Sequence, residues 1–286
     1  MGRKFGQITA GGYVRLVSAS SKIGNFLSES IDPFRRAFVS KRVATMLPMG
    51  AIAGLPLILT GGDMLGGWMR TSDIDLTRLA LFSLVTIPYN LKFLWAPFID
   101  RYQVPWLTRR RGWILTFQAL VILTTLLLGS VAPTTSLTIF FVSAVLVAFF
   151  AASLDIVVDA YRTDLLEPDE RAAGVAVYVA LYRVALLLGG GGALIVADHS
   201  SWHTAYYAAA GIMCVGFIAT VLAPVPVNQG DPPATLEDAV ILPFKDFFTR
   251  PRAITLLIVV MTYKVGDAVA SQMLTPFLID MEFTLT

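Results

Sequence analysis

Residues 137–161 read LTIFFVSAVLVAFFAASLDIVVDAY, and this stretch decides the fold. A membrane-spanning helix needs about 20 mostly apolar residues, and this stretch meets that length. Six other stretches have the same character. They run over residues 43–69, 78–100, 112–131, 172–197, 204–223 and 253–279. Numbered in chain order, the stretch 137–161 is span four. The sequence therefore predicts an all-α polytopic membrane protein with seven spans.

The composition supports the membrane class and excludes several others. Residues of the hydrophobic set make up 56% of the 286 residues and charged residues only 15%, whereas soluble domains carry about 25% charged residues. One cysteine, Cys214, permits no intrachain disulfide and no cysteine metal cluster. The net charge of +2 is too small to indicate a nucleic-acid binder. No nucleophile triad, P-loop or zinc-type cluster is present, so we expect neither an enzyme nor a metal or cofactor.

The basic residues predict the orientation in the membrane. Seventeen Lys and Arg residues lie on one side of the spans, in the leader and in the segments after spans two, four and six. Only Arg70 and Arg78 lie on the other side. Cytoplasmic loops carry the excess of Lys and Arg. We therefore expect a cytoplasmic N-terminus.

Four segments make up the predicted organisation. A leader covers residues 1–42, a six-helix bundle residues 43–223, a linker residues 224–252, and the first helix of a second bundle residues 253–286. A cytoplasmic leader is favoured over an organellar transit peptide, because no cleavage pattern stands out. Within the linker, apolar residues near helical spacing indicate an interfacial helix, which Pro243 interrupts. An ordinary linker is the alternative.

Ionisable residues are distributed unevenly among the spans. A charge in the bilayer costs at least about 2.5–3.5 kcal/mol, so such residues face a bundle interior or an aqueous cavity. Spans three and six contain no Asp, Glu, Lys or Arg, whereas the other five spans do. We therefore expect spans three and six on the lipid-facing outside, with Gln118 and Cys214 away from the central polar pathway.

Lys92, Asp155 and Asp159 form the first group of intramembrane charges. At 1.5 Å per residue, Lys92 lies about 12 Å and Asp155 about 10 Å from the cytoplasmic ends of their spans. An ion pair between them is therefore expected. Asp159 follows Asp155 by four residues and shares its helical face. This group is interpreted as proton-coupling machinery, and a purely structural ion pair is the alternative.

Arg183 and Lys264 form a second group, at mid-depth on different helices. Both lie about 17 Å into their spans at 1.5 Å per residue, and together they could clamp an anion. Asp267 lies three residues after Lys264 on the same face and is assigned to the coupling group. Tyr89 and Tyr182 are candidate stacking surfaces for sugar rings. These four cationic and aromatic residues form the predicted substrate site.

Glycine and proline mark places where helices pack closely or bend. The run Gly189–Gly192 in span five indicates close helix packing by small residues, and a hinge is the alternative. Pro56 and Pro88 are expected to kink spans one and two.

Several motifs in a fixed order resemble one known family. They are GLPLILT at 54–60, FSLVTIPYNLKFLWAPFIDR at 82–101, RRRGW at 109–113, LDIVVDAYRTDL at 154–165 and YKVGD at 263–267. Their order and spacing resemble those of the AmpG-type muropeptide permeases of the major facilitator superfamily. The resemblance covers roughly residues 41–286.

The resemblance implies a fold and a cargo. Members of the family have twelve helices in two six-helix bundles, and they import anhydromuropeptides into the bacterial cytoplasm across the inner membrane, driven by protons. The cargo is a disaccharide, GlcNAc-anhydroMurNAc, bearing a short peptide with carboxylates. Seven spans against twelve imply an incomplete chain, or one that assembles with another copy.

The sequence leaves other functions open. Acetyl-CoA and siderophore carriers look similar to this family, and some members of the superfamily have become non-transporting assembly or sensor proteins. A non-transporter has little reason to keep charges at cavity depth.

The resemblance also implies a cytoplasmic gate. The stretch from Asp100 and Arg101 to Arg109, Arg110 and Arg111 corresponds to the superfamily's loop motif between helices two and three, where ion pairs gate transport. We expect Asp100 to pair with an arginine of this loop, or with Arg162 or Arg171 at the end of span four.

Overall fold

The computed structural model of the protein describes residues 38, 40–105, 107–226 and 233–280, with the side chains of all of these except 62, 63, 76 and 267–280. Throughout this part of the chain the regular structure is helical, without strands. Two compact units are present, residues 1–231 and 232–286. Almost the whole predicted leader lies outside the described residues.

Span one consists of two helices. Helix α1 is Lys41–Thr60 and helix α2 is Gly62–Thr71. Ser40 caps α1 by accepting a hydrogen bond from the backbone N–H of Arg42. Pro56 lies inside α1, which continues to Thr60. The chain then turns at Gly61, where the backbone is extended.

Span two is broken, which corrects the prediction of a single helix over residues 78–100. Its pieces are α3 (Leu76–Leu81), a 3₁₀ turn (Phe82–Thr86), α4 (Ile87–Leu91), a second 3₁₀ turn (Lys92–Leu94) and α5 (Ala96–Arg101). Proline lacks a backbone N–H and fits best in the first turn of a helix, where that N–H has no partner within the helix. Pro88 and Pro97 each stand in such a first turn, so the prolines start new helices instead of kinking one.

Four long helices follow the predicted spans three to six. They are α6 (Arg109–Ser130), α7 (Leu137–Leu165), α8 (Arg171–His199) and α9 (Trp202–Leu222). Together with the stretch Lys41–Thr71, these helices are long and apolar enough to cross a membrane. The broken second span falls outside that criterion. Ser136 and Ser201 cap α7 and α9 through their hydroxyl groups.

Helix α1 lies at the centre of the first unit and packs against α7, α8 and α9. Helix α6 packs against α7 and α9. The contact between α1 and α8 is closest at Gly50 and Gly54. A Cβ on Gly50 would lie 2.3 Å from the carbonyl oxygen of Tyr178, and one on Gly54 would lie 2.6 Å from that of Tyr182. Only glycine permits this approach.

The glycine run in span five divides into two halves. A Cβ on Gly189 would lie 2.6 Å from Leu55, and one on Gly190 would lie 3.2 Å from Ile58. Both therefore serve close packing on α1, as predicted. A Cβ on Gly191 or Gly192 would meet nothing within 4 Å.

The described part of the second unit contains two helices, α10 (Leu236–Thr249) and α11 (Ala253–Asp280). The predicted helix in the linker is thus present, and Thr235 caps it. Pro243 lies inside α10 without ending it, contrary to the predicted interruption. Phe244 and Phe248 are exposed. Placement of α10 at a membrane surface stays a prediction.

Candidate functional site

Charged side chains line an open cavity of about 810 Å³ on one side of the first unit. Helices α7 and α8 supply its walls. The lining residues are Asp155, Asp159, Arg162, Tyr178, Val179, Tyr182, Arg183, Leu186 and Leu187. We call this space the charged cavity.

Helices α6 and α9 contribute no residue to the described lining of the charged cavity. Gln118 of α6 donates a hydrogen bond to Thr220 of α9 at 2.9 Å, where these two helices pack together. Cys214 of α9 is exposed. This arrangement agrees with the prediction that spans three and six lie away from the polar pathway.

Lys92 and Asp155 form the expected ion pair. Lys92 begins the second 3₁₀ turn of the broken span, and this turn directs its ammonium group to Asp155 on α7. Tyr178 of α8 donates a weak hydrogen bond to the other carboxylate oxygen of Asp155, at 3.4 Å. Three spans therefore meet at one carboxylate.

Arg162 lies in the charged cavity and not in the cytoplasmic gate where it was predicted. Its guanidinium contacts Asp159 at 2.9 Å and lies over the ring of Tyr178, 4.6 Å from the ring centre. Helix α7 extends to Leu165, four residues beyond the predicted end of span four. Arg162 therefore stays on the helical face that carries Asp155 and Asp159.

Arg183 is the exposed cation of the charged cavity. Within the described part of the chain, no carboxylate pairs with it. Tyr182 lines the same cavity, and its ring lies beside that of Tyr178 with centres 6.1 Å apart. The predicted pair Arg183 and Tyr182 is thus brought together.

The remaining predicted residues lie elsewhere. Tyr89 packs against an apolar cluster formed around Trp68 and Phe140, with its hydroxyl buried, and is not part of the charged cavity's lining. Lys264 belongs to the second unit, where it is exposed. The side chain of Asp267 lies outside the described residues. The clamp between Arg183 and Lys264 therefore stays a prediction.

Arg110 is the arginine that forms the expected ion pair with Asp100. It contacts Asp100 at 2.6 Å and Asp164 at 2.8 Å, with its own side chain only 11% exposed. The sequence interpretation missed Asp164. It stands two residues after Arg162, at the end of span four that faces the arginine cluster, and that position was the available signal.

The other predicted gate arginines have separate contacts. Arg111 donates to the carbonyl oxygens of Val221 and Ala223, at the C-terminal end of α9. Arg101 lies over the ring of Tyr102, 5.7 Å from the ring centre, and Arg109 is buried. Arg171 is exposed and lines a second cavity, of about 540 Å³.

A second cluster ties the start of α1 to the loop between α7 and α8. Arg42 pairs with Glu167 and lies 3.5 Å from Glu170. Ser40 donates to the Glu170 carboxylate at 2.5 Å. Burial alone would raise the pKa of Glu170, but hydrogen bonds from Ser40 and from the Glu167 backbone N–H, with the charge of Arg42, lower it below its ordinary value of 4.5. The sequence interpretation missed this cluster, since the partners are 125 or more residues apart.

The described residues contain no group of three or more His, Cys, Asp or Glu side chains arranged to hold a metal ion.

Comparison with known proteins identifies relatives. The family model described as Major Facilitator Superfamily matches residues 77–286. A protein of Escherichia coli (strain K12) named anhydromuropeptide permease is 43% identical over 247 residues, which cover 86% of this chain and 50% of that protein. A Haemophilus influenzae protein without an assigned function is 34% identical over 82% of this chain and 56% of its own length. A Rickettsia conorii protein named as a transporter, AmpG 4, is 30% identical over 87% of this chain and 62% of its own length. The chain thus spans about half to two thirds of the curated relatives that it matches.

Proposed function

Because the chain belongs to the major facilitator superfamily and resembles its AmpG-type members, we propose that it forms part of a secondary transporter of the bacterial inner membrane. The cargo is anhydromuropeptide, imported into the cytoplasm together with protons, and the N-terminus is cytoplasmic. The name of the Escherichia coli relative supports this cargo. The excess of Lys and Arg on one side supports the orientation.

The charged cavity is the observation that carries the proposal. Charges within membrane-spanning helices are costly and mark substrate or ion pathways. In this chain, charged residues of spans four and five line one cavity together with two tyrosines, and Lys92 of span two pairs with the lining residue Asp155. Arg183 suits a carboxylate of the peptide, because guanidinium binds carboxylate bidentately. Tyr182 offers a ring face to the disaccharide.

Coupling to protons is assigned to Asp155, Asp159 and Lys92, with Asp267 as a further candidate. Asp155 lies between the ammonium group of Lys92 and the hydroxyl group of Tyr178. In transport, protonation of this carboxylate releases Lys92 and so changes the contact between spans two and four. The ion pair then works as a switch and not only as a structural link.

Uptake of labelled anhydromuropeptide by bacteria that lack their own permease tests the proposal. The complete protein should restore uptake. Arg183→Gln should raise the half-saturation concentration about tenfold, which corresponds to one lost charge-assisted interaction of about 1.4 kcal/mol. Arg183→Lys should have a half-saturation concentration between those of the wild-type protein and Arg183→Gln, since lysine keeps the charge but loses the bidentate geometry.

Arg250→Gln is the matched control. Arg250 pairs with Asp246 on the exposed surface of the linker helix, outside the spans, and its loss should leave uptake unchanged. Normal half-saturation in Arg183→Gln would remove Arg183 from the substrate site. Uptake competed by acetyl-CoA or a siderophore, and not by unlabelled muropeptide, would overturn the proposed cargo.

A further inference from the structure

We infer that Arg162 is a second carboxylate-binding residue of the charged cavity, and that Asp159 occupies it while the cavity is empty. The inference rests on the proposed function, because it assigns a subsite to the proposed anionic cargo. It also replaces the role in the cytoplasmic gate that the sequence suggested for Arg162.

The position of Arg162 within the cavity is the first argument. Arg162 and Arg183 line the same space, one on α7 and the other on α8. Arg162 is 21% exposed, so its guanidinium reaches the cavity without being freely solvated. Two arginines on adjacent walls match a cargo that carries more than one carboxylate, whereas a neutral solute would leave Arg183 without a carboxylate partner and Arg162 with Asp159 alone.

Tyr178 is the second argument, because it holds the guanidinium in place. The ring lies beneath Arg162 and is itself buried, at 5% exposure. Arginine stacks on aromatic faces and still directs its N–H donors outward along the guanidinium plane. An arginine held in this way loses less side-chain freedom when it binds an anion.

Asp159 is the third argument, because its contact with Arg162 is incomplete. The structure records one contact, between Nη2 of Arg162 and Oδ1 of Asp159, at 2.9 Å. The two residues are three positions apart on one helix, and the carboxylate is 46% exposed. A partly solvated pair of this kind is worth little, so an incoming carboxylate can replace Asp159. By contrast, the two carboxylates that hold Arg110 come from two different segments and leave it almost no exposure.

The charges of the cavity favour the same exchange. Lys92 is neutralised by Asp155, and Arg162 by Asp159, which leaves Arg183 as the unbalanced charge of the described cavity lining. A cargo with a single carboxylate would satisfy Arg183 alone. A second carboxylate must compete with Asp159 for Arg162. The arrangement thus selects cargo by its number of carboxylates.

If Asp159 competes with the cargo, Asp159→Asn changes the binding affinity in the opposite direction from what a purely structural pair predicts. If Asp159 competes with the cargo, Asp159→Asn should tighten binding, about threefold, while Arg162→Gln should weaken it, about tenfold. If the pair only supports the fold, both substitutions should weaken binding. The double variant should resemble Arg162→Gln, because Asp159 opposes binding of the cargo carboxylate through its contact with Arg162.

Equilibrium binding of labelled anhydromuropeptide to the purified complete protein measures these effects without requiring transport. A second ligand, in which the peptide carboxylates are amidated, supplies the matched probe. Arg162→Gln should weaken binding of the carboxylate ligand and leave binding of the amidated ligand nearly unchanged. Asp246→Asn removes a surface carboxylate that pairs with Arg250, and it should leave the binding of both ligands unchanged.

The outcomes separate the two proposals. If the wild-type protein binds anhydromuropeptide but Asp159→Asn weakens binding, or if Arg162→Gln affects both ligands equally, the role of Arg162 is overturned and the proposed function stands. If the wild-type protein binds no anhydromuropeptide, the proposed function fails and the subsite fails with it. Should Arg162→Gln not fold, Asp159→Asn decides alone, since it retains Arg162.

Discussion

Arg110 holds two carboxylates at the predicted cytoplasmic end of the bundle, and the two are not equivalent. Asp100 is 41% exposed and Asp164 only 18%. Asp100→Asn should therefore slow uptake more than it weakens substrate binding, with little loss of stability, because Arg110 keeps Asp164. Arg110→Gln should also lower the stability by about 3 kcal/mol, since it leaves a mostly buried carboxylate without its cation. Initial uptake rates, ligand binding and thermal unfolding in detergent check both variants. Equal loss of stability in the two, or an unchanged rate in Asp100→Asn, would count against this gate.

Glu170 gives the protein a stability that depends on pH. Its pKa lies below the ordinary 4.5 in the folded state, because Ser40, the Glu167 backbone N–H and Arg42 favour the carboxylate over the opposing effect of burial. A lowered pKa stabilises the fold above pH 4.5, and this contribution is lost as the pH falls through the folded-state value. Glu170→Gln should lower the free energy of unfolding at pH 7 by about 1 kcal/mol, and should lower it less at pH 4. The melting temperatures measured at the two pH values check this difference. A loss of the same size at both pH values would show that the charge of Glu170 contributes nothing.

At the scale of elements, the contact between α1 and α8 decides where Tyr178, Tyr182 and Arg183 stand. Gly54→Ala would place a methyl group 2.6 Å from a backbone oxygen of α8, so one helix must move. Such overpacking costs about 1–3 kcal/mol, and it should also reduce uptake because α8 carries the wall of the charged cavity. Gly192→Ala is the matched control on α8, since its Cβ meets nothing within 4 Å and alanine favours helix. Equal behaviour of the two variants in thermal unfolding and uptake would refute the close approach.

The elements also show where sequence patterns suffice. Length and apolar character predicted the long helices to within a few residues, because bilayer thickness fixes those quantities. The same criteria could not predict the pieces of span two, because an apolar stretch has the same length and composition whether its backbone is α-helical or 3₁₀. The end of span four was misplaced for a related reason. Arg162 looked like a loop residue by charge, but α7 carries it for another turn.

At the scale of the whole molecule, spacing along the helices predicted the ion pair of Lys92 with Asp155, because matching depth brings opposite charges together. It could not predict the cluster of Arg42 with Glu167 and Glu170, nor the packing of Tyr89 against the apolar cluster around Trp68 and Phe140. Those depend on which faces of distant segments meet. Motif order supplied the family, and the comparisons confirm it.

Accumulation of labelled anhydromuropeptide in proteoliposomes under an imposed pH gradient tests the central claim most directly. Vesicles with the wild-type protein should accumulate the label above its external concentration, and dissipating the gradient should abolish the accumulation. Asp155→Asn removes the carboxylate that Lys92 and Tyr178 share. It should abolish accumulation and retain part of the exchange of labelled for unlabelled substrate, since Arg183 and Tyr182 are untouched. Accumulation at the wild-type level in Asp155→Asn, or none in the wild-type protein, would contradict proton-coupled import through this cavity.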